Sequence, residues 1–127
     1  MIETVPVLKD EERQRPIPSA WRGTLVSIVK SLSEGDLELA RGVDGVSSIS
    51  AETARTIAIN IEDYGAQLTD LSEESWQSSV CQWMRGYWDV LVDLFTVEEG
   101  ASDLVLAVRV HEDATGYVFA VQSVHVP

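Results

Sequence analysis

The apolar residues of this chain change period once, at Trp76, and that change constrains the fold more than any other feature of its 127 residues. Before it, apolar positions recur with helical spacing; after it they alternate, as in strands with one buried face. Trp21, Leu25, Ile28 and Leu32 form a single stripe of a helix that follows Pro18, takes Ser19 as its cap and ends near Gly35. Asp36 to Arg41 suits one further turn, and Gly42 to Ser48 reads as a loop. Ser50 caps a second helix, with Glu52 in its first turn, Ala54, Ile57, Ala58 and Ile61 as its inner stripe and Gly65 as its stop. Ser72, Glu73 and Glu74 mark a single helical turn before Trp76.

The remainder reads as four strands, about 77 to 84, 87 to 96, 103 to 111 and 117 to 126. Their connections, Arg85-Gly86, Val97 to Ser102 and Glu112 to Gly116, are too short for a crossover, so neighbouring strands are antiparallel. Helices followed by a meander specify an α+β domain. Two N-terminal helices pack on one face of a four-stranded antiparallel sheet, which becomes five-stranded if the N-terminal segment adds an edge. Residues 1 to 16 form an arm, with the apolar stretch Ile2 to Leu8 broken by Pro6 and followed by the polar run Lys9 to Arg15. The arm is either flexible or docked along a sheet edge through Val5 to Leu8, and residues 17 to 127 make the single α+β domain.

Register follows from burial, because a slip of one residue would turn every apolar side chain outward. Val90 is set opposite Val108, Val92 opposite Leu106 and Trp88 opposite Val110. The Arg85-Gly86 turn puts Cys81 and Trp83 on the core side, with Gln82 and Met84 on the other. Strand four is apolar on both faces, Tyr117, Phe119 and Val121 against Val118, Val124 and Val126, so its orientation stays open. On the face away from the core, Asp89 stands across from Arg109 and Tyr87 across from His111, with Asp93 further along. These five residues, Tyr87, Asp89, Asp93, Arg109 and His111, are the candidate binding surface. Paired charges and rings on a curled sheet suit a small polar ligand or a partner's basic side chain. The plainer alternative is an exposed cross-strand ion pair worth roughly 0.2 to 1 kcal/mol and no function.

Acids outnumber bases 21 to 9, a net charge of −12, but 45% of residues are hydrophobic, so the chain has material for a core and is not an acidic disordered tail. The charge is regional: residues 61 to 113 hold twelve acids against Arg85 and Arg109, or −10 of the total. Such a field repels nucleic acid and anionic membrane surfaces; it steers a basic protein partner or simply keeps the domain soluble. No apolar run approaches the roughly 18 residues of a membrane span, and no basic segment with an apolar core opens the chain, so a soluble cytoplasmic protein is expected.

No catalytic signature stands out. The single Cys81 cannot form an internal disulfide and lies in a strand-like run with no base nearby. If the last two strands pair around residues 112 to 116, His125 falls near residue 103, about eight residues along the ladder from His111, and the two cannot share a metal. Phosphate cradles, zinc-protease helices and calcium loops are missing from the sequence, so no cofactor or metal is expected and enzyme is the weaker class. Trp76, Trp83 and Trp88 cluster in a negatively charged stretch, which favours core packing over base stacking.

The run from Trp88 to Leu104, WDVLVDLFTVEEGASDL, together with Ser79 to Trp83 and the ending Ser123 to Pro127, resembles a family of uncharacterised bacterial domains, over about Pro18 to the C-terminus. The resemblance implies no assigned activity and no catalytic residues. Leu32 to Leu37, LSEGDL, after the first helix and before a curved sheet, is more weakly similar to the cystatin-like and nuclear-transport-factor-like α+β folds, whose crevice acid and base have no match here. Three functional readings are open. The first is a protein-interaction module with a basic partner, of which an immunity-type protein neutralising a basic toxin is one form. The second is a ligand-binding or weakly catalytic domain with a pocket between the first helix and the sheet, around Trp21, Tyr87, Asp89, Arg109 and His111. The third is a homodimer formed through strand four or the N-terminal arm.

Overall fold

The computed structural model describes residues 4–127; the apolar start of the arm at Ile2 lies outside the described residues. Helix α1 spans Ser19–Ser33 and buries Trp21, Leu25, Ile28, Val29 and Leu32, the expected stripe widened by one residue. Its entry differs from expectation. Pro18 occupies the cap position without a side-chain cap, and Ser19 is used otherwise. The Ser19 hydroxyl accepts the N–H of Val5 at 2.8 Å, and the Ser19 N–H donates to the Val5 carbonyl at 3.0 Å. The arm is therefore latched to the start of α1 at Val5 rather than laid along a sheet edge.

Helix α2 spans Ala51–Tyr64, with the Ser50 hydroxyl accepting the N–H of Thr53 at 3.1 Å and Gly65 closing it at φ 82°. That positive φ suits glycine, whose missing Cβ removes the clash of the left-handed region. Between the helices, Asp36 to Arg41 makes turns instead of a helical turn, because the Asp36 carboxylate takes the N–H groups of Ala40 and Arg41 at 2.8 and 3.1 Å. Leu39, at φ 54°, is buried in the core. A 3₁₀ turn at Glu73–Gln77, capped by Ser72, leads into the sheet.

The sheet has five antiparallel strands in the order β1 (Arg15–Pro16), β2 (Val80–Trp83), β3 (Trp88–Thr96), β4 (Gly100–Asp113) and β5 (Gly116–His125). The fifth strand is the pair Arg15 and Pro16, beside Cys81 and Val80, not Val5 to Leu8. Val90 pairs with Val108, Val92 with Leu106, Trp88 with Val110 and Asp89 with Arg109, as burial of one face requires. The first hairpin pairs Cys81 with Val90 and Trp83 with Trp88 around Arg85-Gly86.

Two irregularities lie beyond reach of the alternation. Past Asp93 the β3–β4 register shifts, so that Phe95 pairs with Ala101, and Leu94, Phe95 and Thr96 are all buried. In β5 the register shifts at Gln122: Val108 faces Val121, but Ala107 faces Ser123. A bulge inserts one residue and reverses the parity of the residues beyond it. Hence Phe119, Val121 and Val124 all enter the core, although Val124 sits on the other parity. The tight Ala114-Thr115 turn and this shift together bring His125 opposite Val105, two residues from the expected 103.

Both helices lie on the face that carries Trp88, Val90, Val92 and Leu94. The ring of Trp21 meets Trp88, Tyr117 and Phe119 edge-on at 5.2, 5.4 and 6.0 Å, and the Asn60 amide of α2 donates to the Val124 carbonyl at 2.9 Å. Each fully buried aliphatic or aromatic side chain contributes about 1.5–3 kcal/mol, which makes this one face the main source of stability. The sheet edges are partly covered. Pro16 offers no N–H on one edge, and on the other Phe119 donates to the Gly45 carbonyl at 2.8 Å and accepts from Ser47 at 2.9 Å.

Candidate functional site

Alternation along β3 and β4 carries Asp89 and Arg109 to the face opposite the helices, and the register sets them side by side. Arg109 Nε lies 3.7 Å from Asp89 Oδ1, with both side chains 46% exposed. The Arg109 guanidinium stands 4.6 Å from the centroid of the Tyr87 ring, which in turn lies 6.0 Å from the His111 ring at 50°. Four of the five predicted surface residues thus form one contiguous cluster. Its charges neutralise one another, and the cation also leans on a ring, an arrangement that loosely orders Arg109.

Asp93 is kept apart. It is four residues from Asp89 along β3, roughly 13 Å. Its carboxylate takes the Ser78 hydroxyl, its N–H donates to Ser79 Oγ at 2.9 Å and its carbonyl accepts from Ser75 Oγ at 2.7 Å. This serine network ties the 3₁₀ turn to the sheet, which gives Asp93 a structural task.

The expected pocket between the first helix and the sheet around Trp21, Tyr87, Asp89, Arg109 and His111 is not formed. Trp21, 1% exposed, fills the space on the helix side, and the other four residues occupy the opposite face. A five-strand sheet one residue thick separates them.

Elsewhere the polar groups make few constellations. Ser123 Oγ and His125 Nδ1 are 2.7 Å apart, but no carboxylate is bonded to that imidazole among the described residues, and a hydroxyl beside a lone imidazole lacks the orienting group of a triad. Among the described residues no three His, Cys, Asp or Glu side chains converge to hold a metal ion. Burial pushes the Cys81 thiol up to about 11, and the Sγ faces the Pro16 carbonyl at 3.6 Å, a packed and protonated group. No helix among the described residues is long and apolar enough to cross a membrane.

The acidic segment has a distinctive geometry. Both of its bases are engaged, Arg85 with Glu11 and Arg109 with Asp89. Of its twelve carboxylates only Asp89 and Glu112, the latter 3.0 Å from Lys9, have a cationic partner among the described residues. Several of the others gather where α2 ends beside the β3–β4 turn. Tyr64 donates its hydroxyl to Glu99 at 2.6 Å and accepts the Asp103 N–H at 3.1 Å, while the Glu98 carboxylate takes the Gln67 N–H at 2.9 Å.

Next to this acidic end lies a cleft of about 490 Å³ between the last turn of α1, the second half of α2 and residues 65–68. Leu32, Leu37, Ala58, Ile61 and Leu68 form its apolar lining, and Glu62 and Glu98 stand in its wall, with no Lys or Arg in the lining among the described residues. Sequence reasoning placed Ala58 and Ile61 in the inner stripe of α2 and passed over the cleft. In the structure both remain half-buried, in the lining of this cleft.

Comparison with known proteins matches residues 29–127 to a family described as a domain of unknown function (DUF7668). That span begins within α1, later than the Pro18 at which the resemblance in sequence was drawn. Neither a curated protein nor a solved structure matches the chain.

Proposed function

Because the chain belongs to this family of domains of unknown function, DUF7668, we propose from its own surface that it is a protein-interaction domain that captures a basic partner. One observation carries the reading: ten of the twelve carboxylates in residues 61–113 have no cationic partner among the described residues, and both bases of that segment are already engaged. A field dominated by one sign accelerates encounter with a basic surface and repels acidic ones. Neutralisation of a basic toxin, as by an immunity-type protein, is one form of this function.

The acidic end around Glu62, Glu98, Glu99 and Asp103 is the contact area we favour. The open sheet face, with Tyr87, Asp89, Arg109 and His111 and with Asp93 apart from them in its serine network, competes with it, since the Asp89–Arg109 pair at 3.7 Å is loose enough to exchange with a partner's charge.

The immobilised chain, challenged with the products of its neighbouring genes, should retain a basic protein at low salt. It should release that protein as the Debye length falls from about 10 Å at 0.1 M to about 3 Å at 1 M. Capture that ignores salt, or no capture of any basic protein, overturns the reading.

A further inference from the structure

We infer that the cleft between the C-terminal ends of the two helices is a docking groove for an amphipathic helix of a basic partner, an inference that rests on the interaction reading above and gives it an address. The apolar side of the visiting helix would lie on Leu37, Ala58 and Ile61, over the buried floor of Leu32 and Leu68. Its basic side chains would meet Glu62 and Glu98, both exposed and neither engaged with a cation among the described residues.

The occupant is set by what the cleft offers. A partner strand needs a sheet edge with free N–H and carbonyl groups, whereas here the lining is largely side chain, and the Gln67 N–H and carbonyl are already taken by Glu98 and Val97. A helix asks only for an apolar trough, and supplies anchors at i, i+3, i+4 and i+7. A second copy of this chain would bring the same net charge of −12 to an acidic rim, so like-charge repulsion opposes it. A small molecule would ask for several convergent polar groups, while the polar side chains here stand on the wall and leave the floor apolar.

The test maps binding on the full isotope-labelled chain by amide chemical shifts. The probes are a synthetic Leu/Lys peptide of about 14 residues with a helical apolar stripe, its scrambled isomer of identical composition, and oligolysine. The striped peptide should shift the amides of Leu37, Ala58, Ile61 and Leu68 and bind at least about tenfold more tightly than either control, the worth of one well-seated apolar anchor. Ala58→Arg and, separately, Glu62→Lys with Glu98→Lys should each weaken it by about tenfold. The mapping needs no variant, so it decides the matter even if a substitution unfolds the chain.

Equal binding of the striped and scrambled peptides overturns the groove and leaves a charge-only interaction. Shifts confined to Tyr87, Asp89, Arg109 and His111 overturn the groove and move the contact to the open sheet face. Groove shifts that grow with protein concentration alone mean self-association, and also overturn it. Silence from all three probes at low salt, together with no capture of a basic protein, removes the interaction reading itself.

Discussion

The indole Nε1–H of Trp88 donates to the backbone carbonyl of Leu8 at 2.9 Å, across 80 positions of sequence. Trp88 is 1% exposed and packs on Trp21 and Trp83, so this bond hangs the arm on the centre of the core. Together with the latch between Val5 and Ser19, it makes residues 5–8 part of the folded structure, while Lys9 adds its ammonium 5.1 Å from the Trp83 ring.

Trp88→Phe removes the donor and part of the packed volume, and should cost about 2–4 kcal/mol in urea denaturation. Ser19→Ala removes only the acceptor for Val5, with a loss of about 1 kcal/mol and faster amide exchange at Val5. Unchanged exchange at Val5 would show that the arm is held without this bond.

The bulge at Gln122 decides which side of the last strand is inside. Val118 and Val124 share a parity, but Val118 precedes the bulge and is half-buried opposite His111, whereas Val124 follows it and is 0% exposed. Val124→Asp should destabilise by more than about 3 kcal/mol, because it buries a carboxylate with no partner, whereas Val118→Asp should cost only about 1 kcal/mol. Equal effects in thermal melts would mean that the bulge does not set the face.

The pair Asp89 and Arg109 should contribute little to stability, since both side chains are half exposed and screened. Asp89→Asn with Arg109→Gln should cost under about 1 kcal/mol, and less still in high salt. A large fall in melting temperature would give the pair a structural weight that its geometry does not predict.

Stability should fall at both ends of the pH scale. The Cys81 thiol, raised by burial from 9.0 to about 11, is protonated in the folded chain where it would ionise in the unfolded one. Its contribution is complete below pH 9 and is lost as pH rises toward 11. At the acid end, the N–H groups of Arg41 and Ala40 hold the Asp36 carboxyl below its ordinary 3.8, so that contribution is present above about 4 and is lost as pH falls through the lower native value. Native Cys81 should react with a thiol reagent at pH 8 only at the rate of opening; rapid labelling would contradict its burial.

Much of the architecture follows from short-range pattern. The stripe from Trp21 to Leu32, the cap at Ser50, the stop at Gly65 and the pairing of Val90 with Val108 are each dictated by neighbours in sequence or by one buried face. The cluster of Tyr87, Asp89, Arg109 and His111 was legible for the same reason, because register once set places both faces at the same time. Asp93 shared their parity, but its serine partners come from a turn whose approach to β3 no alternation encodes.

The order of elements, the antiparallel meander and the side of each regular strand were determined by the sequence alone, since these depend on periods of 3.6 and 2 and on connections too short to cross over. Tertiary structure alone decided the rest: that Ser19 holds the arm instead of capping its helix, that Arg15 and Pro16 supply the fifth strand, that one extra residue at Gln122 turns Val124 inward, and that Ala58 and Ile61 line a cleft. Each depends on contacts between residues far apart in the chain, where several local choices cost nearly the same and only packing separates them.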